Sequence, residues 1–306
     1  MAGTSPPIDA WNYILFSIED IMNVLSIPVI CILFYICIVQ RNLHVNFRCL
    51  LALTGVGHLI CSLHRLILVT ARMCCIAQQV TPLVSKLLVV QYVGNNLAVF
   101  AWLFVTIERA IATVYTSKYE KRCKKRMWPI FLCSSVVFLA AVVCYLAQSN
   151  LGKNFDFYIM GIHISLVVIC FVALATIVFF NISAYRKRHT TMMQLSNRYQ
   201  LDENIRGSRY LIPVALNDVF VKVAFILLMA YSLFFTNIPL GLDTTHLSHA
   251  YDILWAYQRI FFGLALTIRS QKLDHIFRRR KKTTKAIEKH AAATDKYYVD
   301  LKEMWS

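Results

Sequence analysis

No lysine or arginine occurs in the first twenty residues, where Asp9, Glu19 and Asp20 stand instead. A secretory signal peptide opens on a basic segment, so no cleaved leader is expected. The sequence also has no HExxH, no pair of separated CxxC motifs and no His-rich cluster, and these absences remove the usual zinc sites. His58 and His64 share one apolar run but lie six residues apart, about 600° of helical rotation, so they cannot clamp one haem from one face. His163 falls at another depth. No Ser/His/Asp set lies at one membrane level. Neither a cofactor nor a metal is expected, and an enzyme is not.

Acidic residues are scarce, 16 against 32 lysines and arginines, for a formal net charge of +16. Nucleic-acid binding would need aromatic side chains interleaved with the basic ones, and no such platform is present. Ten cysteines occur, of which Cys31, Cys37, Cys49, Cys61, Cys133, Cys144 and Cys170 fall inside apolar runs, where a thiol behaves as a small hydrophobe. Cys74, Cys75 and Cys123 read as loop-borne, and a disulfide from Cys74 or Cys75 has only Cys144 as a nearby partner. There is no internal repeat and no matched pair of broken spans, which weakens a secondary transporter.

What is abundant is oil. Apolar residues make up 58% of the chain and its mean hydropathy is +0.55, too apolar for a water-facing surface. About 20 residues of helix cross roughly 30 Å of hydrocarbon, and seven runs reach that length: 21–39, 47–69, 83–107, 128–147, 157–181, 210–235 and 249–268. The expected fold is an all-α seven-transmembrane helix bundle. Residues 1–20 form a short outer segment, 21–268 the bundle and 269–306 a basic tail.

Charge sets the expected orientation. The loops after spans one, three and five hold two, seven and six basic residues and the tail holds eleven, 26 of the 32 in all; the opposite loops hold Arg72 and Lys153. Lysine and arginine are retained on the cytoplasmic side. The N-terminus is therefore expected outside and the C-terminus inside. The segment "SQKLDHIFRRRKKTTK" puts Leu273, Ile276 and Phe277 on one helical face beside a polybasic cluster, an amphipathic helix suited to membrane lipid. Arg65 and Lys86, near outer span ends, are expected to snorkel.

Within the spans, "PVALNDVFVKVAF" sets Asp218 and Lys222 one turn apart, about 12 Å and 18 Å below Tyr210, with Arg259 of span seven at similar depth. A charge there costs roughly 2.5 to 3.5 kcal/mol even on insertion scales, so these side chains should face the bundle interior. Two readings stand. They form a packing network with Asn217, Asn95 and Asn96, or their excess cation receives a ligand anion or lines a switch cavity. In a transporter or channel, the alternative class, Asp218, Lys222 and Arg259 would line the path.

At the inner end of span three, "IERAIATVYTSKYEKRCKKR" joins Glu108 and Arg109 to a basic run. The pair can simply end a helix or act as a switch. Its place resembles the acidic–Arg–aromatic motif of rhodopsin-like receptors, although Ala110 replaces the aromatic residue and neither NPxxY nor CWxP is present. The string "ERAIATVYTSKYEKR", with "LSNRYQLDENIR" before span six, resembles the nematode serpentine chemoreceptors of class epsilon (Sre). On that resemblance Glu108, Arg109, Ala112, Thr113, Tyr119, Glu120 and Tyr199 to Arg206 match family motifs. The resemblance implies a G protein-coupled receptor in the ciliary membrane of sensory neurons, with an unknown small-molecule ligand and a heterotrimeric G protein as partners. It implies that Glu108, Arg109, Tyr119, Glu120 and Arg206 form the switch and the G protein-facing surface.

Overall fold

The computed structural model describes residues 10–39, 44–74, 82–115, 127–148, 155–189, 195–236 and 246–268. They form seven long helices: α1 Ala10–Val39, α2 Val45–Met73, α3 Pro82–Val114, α4 Met127–Gln148, α5 Phe155–His189, α6 Leu195–Tyr231 and α7 His246–Ile268. A short π-helical turn, Ser232–Thr236, continues α6. Proline at the first position of α3 gives up an N–H that has no helical partner there. The first turn of α2 is capped by His44, whose Nδ1 accepts the Asn46 backbone N–H at 3.4 Å. The compact unit is Met1–Leu266; beyond it only the last two residues of α7 are described.

Several helices outrun the apolar runs that announce them. α1 starts at Ala10, not Ile21, and takes in Glu19 and Asp20, which the sequence alone assigned to the outer segment. α6 has 37 residues, about 56 Å at 1.5 Å per residue, and its apolar run begins only at Tyr210, after the mostly polar string "LSNRYQLDENIRGSR". The polar part of α6 meets the final turns of α3, Asn204 against Ala112, at what we call the Arg109 end.

Six of the seven helices are long and apolar enough to cross a membrane. The exception is α7, whose 23 residues include His249, Asp252, Gln258 and Arg259. It lies in the bundle through specific partners on α1, α2 and α6 rather than through hydropathy alone.

α3 is the central element and packs on α2, α4, α5 and α6. The core runs through Leu33, Leu50, Ala101, Val136, Leu174, Val214 and Phe262, one residue from each helix. Phe131, Phe138, Phe179, Phe220 and Leu227 are exposed instead, the apolar exterior of a chain whose solvent is lipid. The α2–α3 seam depends on two glycines: a Cβ on Gly57 would stand 2.7 Å from Gly94 O and from Ala98 N. Without a hydrophobic drive between helices in lipid, such close backbone approach is how they gain contact. Hydroxyls inside the bundle turn back on their own helices, as Thr106 does to Trp102 O at 3.1 Å and Thr54 to Leu50 O at 3.0 Å.

Candidate functional site

The last turns of α3 carry Glu108 and Arg109, each only 2% exposed. A bare guanidinium cannot be buried cheaply, and here it is met by a carboxylate in fork geometry. Arg109 Nε donates to Glu108 Oε2 at 2.5 Å and Nη2 donates to Oε1 at 2.7 Å. The flat face of the same group lies 4.5 Å from the ring centroid of Phe47 on α2. On the third side is Gly207 of α6, where an added Cβ would come within 2.8 Å of Arg109 Nη1.

Two more contacts close this end. Asn204 of α6 donates to the backbone oxygen of Ala112 at 2.9 Å. Asn181 of α5 donates to the Thr113 hydroxyl at 3.0 Å, which in turn donates to Arg109 O at 2.9 Å. α2, α5 and α6 are thus all drawn to one turn of α3. Tyr119 and Glu120 lie outside the described residues, and of Arg206 only its place on α6, next to Gly207, is described.

Midway along the bundle, Thr54 and His58 of α2, Asn95 and Trp102 of α3, Val167 of α5, Asp218 and Lys222 of α6 and Trp255, Gln258 and Phe262 of α7 surround a cavity. Its volume, counted as room for the centre of a water molecule, is about 20 Å³, enough for little more than water. Asp218 Oδ1 accepts from Gln258 Nε2 at 2.8 Å. Lys222 Nζ sits over the Trp255 ring, 3.8 Å from its centroid, and 5.1 Å from that of Phe225. Although one turn apart, Asp218 and Lys222 make no ion pair within 4.0 Å among the described residues.

The polar residues expected to act together are therefore divided. Asn95, Asp218 and Lys222 meet at the cavity. Asn95 Oδ1 takes the Cys61 thiol at 3.1 Å, while Asn96 turns to α5 and meets His163 Nε2 at 3.0 Å. Asn217 accepts from Tyr257 at 3.0 Å. Arg259 points to α1, donating from Nη2 to Asn23 Oδ1 at 2.8 Å. Depth along a helix is readable from sequence; azimuth relative to neighbours is not, and azimuth sent Arg259 and Asn96 elsewhere. The Cys144 thiol lies beside Asn96 Nδ2 at 3.8 Å, and Cys74 is free.

At the end opposite Arg109 is a cluster that sequence reasoning missed. Arg65 does not snorkel: its Nε is 2.6 Å from Glu19 Oε1 of α1 and its Nη2 is 2.7 Å from Asp252 Oδ2 of α7, with the Glu19 side chain fully buried. Two carboxylates hold the guanidinium inside, where a snorkelling side chain would have needed a path to water. Beside them His249 Nε2 meets Asn12 Oδ1 at 3.1 Å. A signal existed. The buried face of α1 is Asn12, Phe16, Glu19, Asn23, Ser26, Ile30, Leu33 and Cys37, spaced alternately four and three, so its polar members share the inward stripe of its apolar ones.

No curated protein matches this chain. A family model does, over residues 13–306, and its description is "Serpentine type 7TM GPCR receptor class ab chemoreceptor". The match supports the nematode chemoreceptor reading but not class epsilon, to which the two loop motifs were compared; short motifs in two loops do not separate one serpentine class from another. With a match across nearly its whole length, seven helices around α3 and a buried Glu–Arg pair at the end of that helix, the chain belongs to the class ab serpentine receptors, a family of seven-transmembrane G protein-coupled chemoreceptors.

Proposed function

We propose that this chemoreceptor takes its ligand in the cavity between Trp102, Asp218, Lys222 and Trp255 and reports it to a heterotrimeric G protein at the Arg109 end. The N-terminus faces outside and the C-terminus the cytoplasm, an orientation supported by the 26 basic residues on one set of loops and the tail. The observation that carries the reading is the seat of Arg109 against Gly207. While α6 stays there, the guanidinium is enclosed by Glu108, Phe47 and α6 and no partner can reach it.

A ligand can shift this equilibrium only through a difference in affinity between two states. A cavity of water size fits the ligand poorly, so the ligand favours a bundle in which α6 and α7 stand further from α3. Leverage along α6 from Lys222 then lifts Gly207 from Arg109 and strains the Asn204–Ala112 contact. The freed Arg109, with Tyr119, Glu120 and Arg206 from the adjoining segments, forms the G protein surface. We assign this event to the ciliary membrane of sensory neurons, a setting in keeping with the family's chemosensory role.

The test is expression with a chimeric G protein and an odorant panel, comparing wild type with Arg109→Ala. Signalling lost at equal surface expression supports the reading; evoked currents that persist without any G protein contradict it in favour of a channel. An epitope at the N-terminus that stains only after permeabilisation overturns the orientation.

A further inference from the structure

Lys222 is 4% exposed and lines the cavity, yet among the described residues no oxygen or nitrogen accepts a hydrogen bond from its ammonium. The faces of Trp255 and Phe225 attract the charge without satisfying three directional N–H donors. Two acceptors at the cavity are turned to other donors, Asp218 Oδ1 to Gln258 and Asn95 Oδ1 to the Cys61 thiol, while Gln258 Oε1 is buried there without a hydrogen-bond partner among the described residues. A group so placed asks its ligand for an acceptor.

Charge decides what kind of acceptor. Buried or ion-paired within the bundle are the carboxylates Glu19, Glu108, Asp218 and Asp252 and the cations Arg65, Arg109, Lys222 and Arg259, four of each. Asp218, Lys222 and Arg259 by themselves carry an excess cation, but Asp252, also on α7, offsets it, and Glu19 offsets Arg65. An anionic ligand would leave one negative charge uncompensated in a low-dielectric interior, and an amine would add a cation beside Lys222. A neutral oxygen acceptor satisfies the ammonium and changes no charge. Beside the polar Thr54 and His58, the walls include the apolar Trp102, Val99, Val167 and Phe262.

We infer that the ligand is a small neutral carbonyl compound, an ester or ketone, whose oxygen accepts from Lys222 and whose apolar body lies against Trp102, Val167 and Phe262. This rests on the cavity being the ligand site. The neutral charge balance also accounts for how Lys222 stays inside without an ion pair: Asp218, one turn away, offsets it at a distance, and the indole covers it.

Three matched series test the assignment, built on phenyl, hexyl and isobutyl bodies, each as methyl ester, hydrocarbon and carboxylate. Receptor in lipid nanodiscs is read by thermal shift and by activation of a chimeric G protein. The expected result is that at least one ester acts at tenfold lower concentration than its hydrocarbon and carboxylate partners. Lys222→Met then removes that preference, and Lys222→Gln, which keeps a donor and guards against a variant that fails to fold, retains part of it. No response to any ester, or a carboxylate or hydrocarbon acting more potently than its ester, overturns the ligand class. If those preferred compounds still lose potency in Trp102→Ala, the cavity stands as the ligand site. An ester preference unmoved by both Lys222→Met and Trp102→Ala overturns the site and the inference together.

Discussion

Arg109 of α3 and Gly207 of α6 are fitted so closely that one methyl group at position 207 would sit 2.8 Å from the guanidinium. Glycine inside a helix costs about 1 kcal/mol relative to alanine, and here the missing side chain lets α6 cover a buried charge. The Glu108 carboxylate neutralises that charge from within α3 itself. Closing this end thus requires no acidic partner on α6, only the absence of a side chain.

Glu108 therefore holds the resting state. Glu108→Gln leaves Arg109 buried without its counter-ion, a change that costs about 3 to 5 kcal/mol when one partner of a buried pair is removed. Part of that cost disappears if α6 withdraws and water reaches the guanidinium. The variant should show raised signalling without ligand and a lower melting temperature, checked by G protein turnover and thermal denaturation in detergent. Turnover at the wild-type level would show that Glu108 does not restrain Arg109.

The contacts from Asn204 to Ala112 O and from Asn181 to Thr113 should be weaker restraints of the same kind. A hydrogen bond contributes about 1 kcal/mol net, and stripping a buried donor from its acceptor can cost more. Asn204→Ala should raise basal signalling several-fold, because it alone of these two joins α3 to α6. Asn181→Ala, which frees α5, should move basal signalling less. Dose–response curves for both variants at matched surface expression check the order, and the reverse order would place the hinge on α5.

How much of this was legible beforehand follows from what a sequence can encode locally. Hydropathy located seven helices, and the charge pair at the end of an apolar run located Glu108 and Arg109, because both signals need no knowledge of neighbours. The seventh helix was found by its length and its apolar residues, although its polar ones leave it less apolar than the other six. What escaped was pairing across helices: Arg65 with Glu19 and Asp252, Arg259 with Asn23, and Gly207 with Arg109. Gly207 did carry a cue, a lone glycine in the helical string "NIRGSRY" with no turn residue beside it, which calls for a packing reason. Glu19 was misplaced because the first span was begun at the first uninterrupted apolar residue.

The Arg65 cluster ties α7, the helix without an apolar stretch long enough to cross a membrane, into the bundle, and its energetics distinguish it from an ordinary surface ion pair. Arg65→Ala strands two carboxylates, Glu19 and Asp252, and should cost about 3 to 5 kcal/mol and most of the surface expression. Asp252→Asn should be milder, since Glu19 still holds the arginine. The triple variant Arg65→Met, Glu19→Gln, Asp252→Asn leaves no buried charge and should recover much of the loss. Flow cytometry of a tagged receptor checks all three. A triple variant no better than Arg65→Ala would mean that the ion pair itself, and not the avoidance of stranded charge, seats α7.

The account's central claim is that α6 keeps the receptor silent by resting on Arg109. Its most direct test is ligand-independent G protein activation by Gly207→Ala, alone and combined with Arg109→Ala, at surface expression matched to wild type. The added methyl would stand 2.8 Å from Arg109 Nη1, so the guanidinium or α6 must shift and the seat is loosened either way. Gly207→Ala should signal at several times the wild-type rate, and Arg109→Ala should abolish the excess. Wild-type basal activity in Gly207→Ala, or excess activity that survives the loss of Arg109, would contradict the claim.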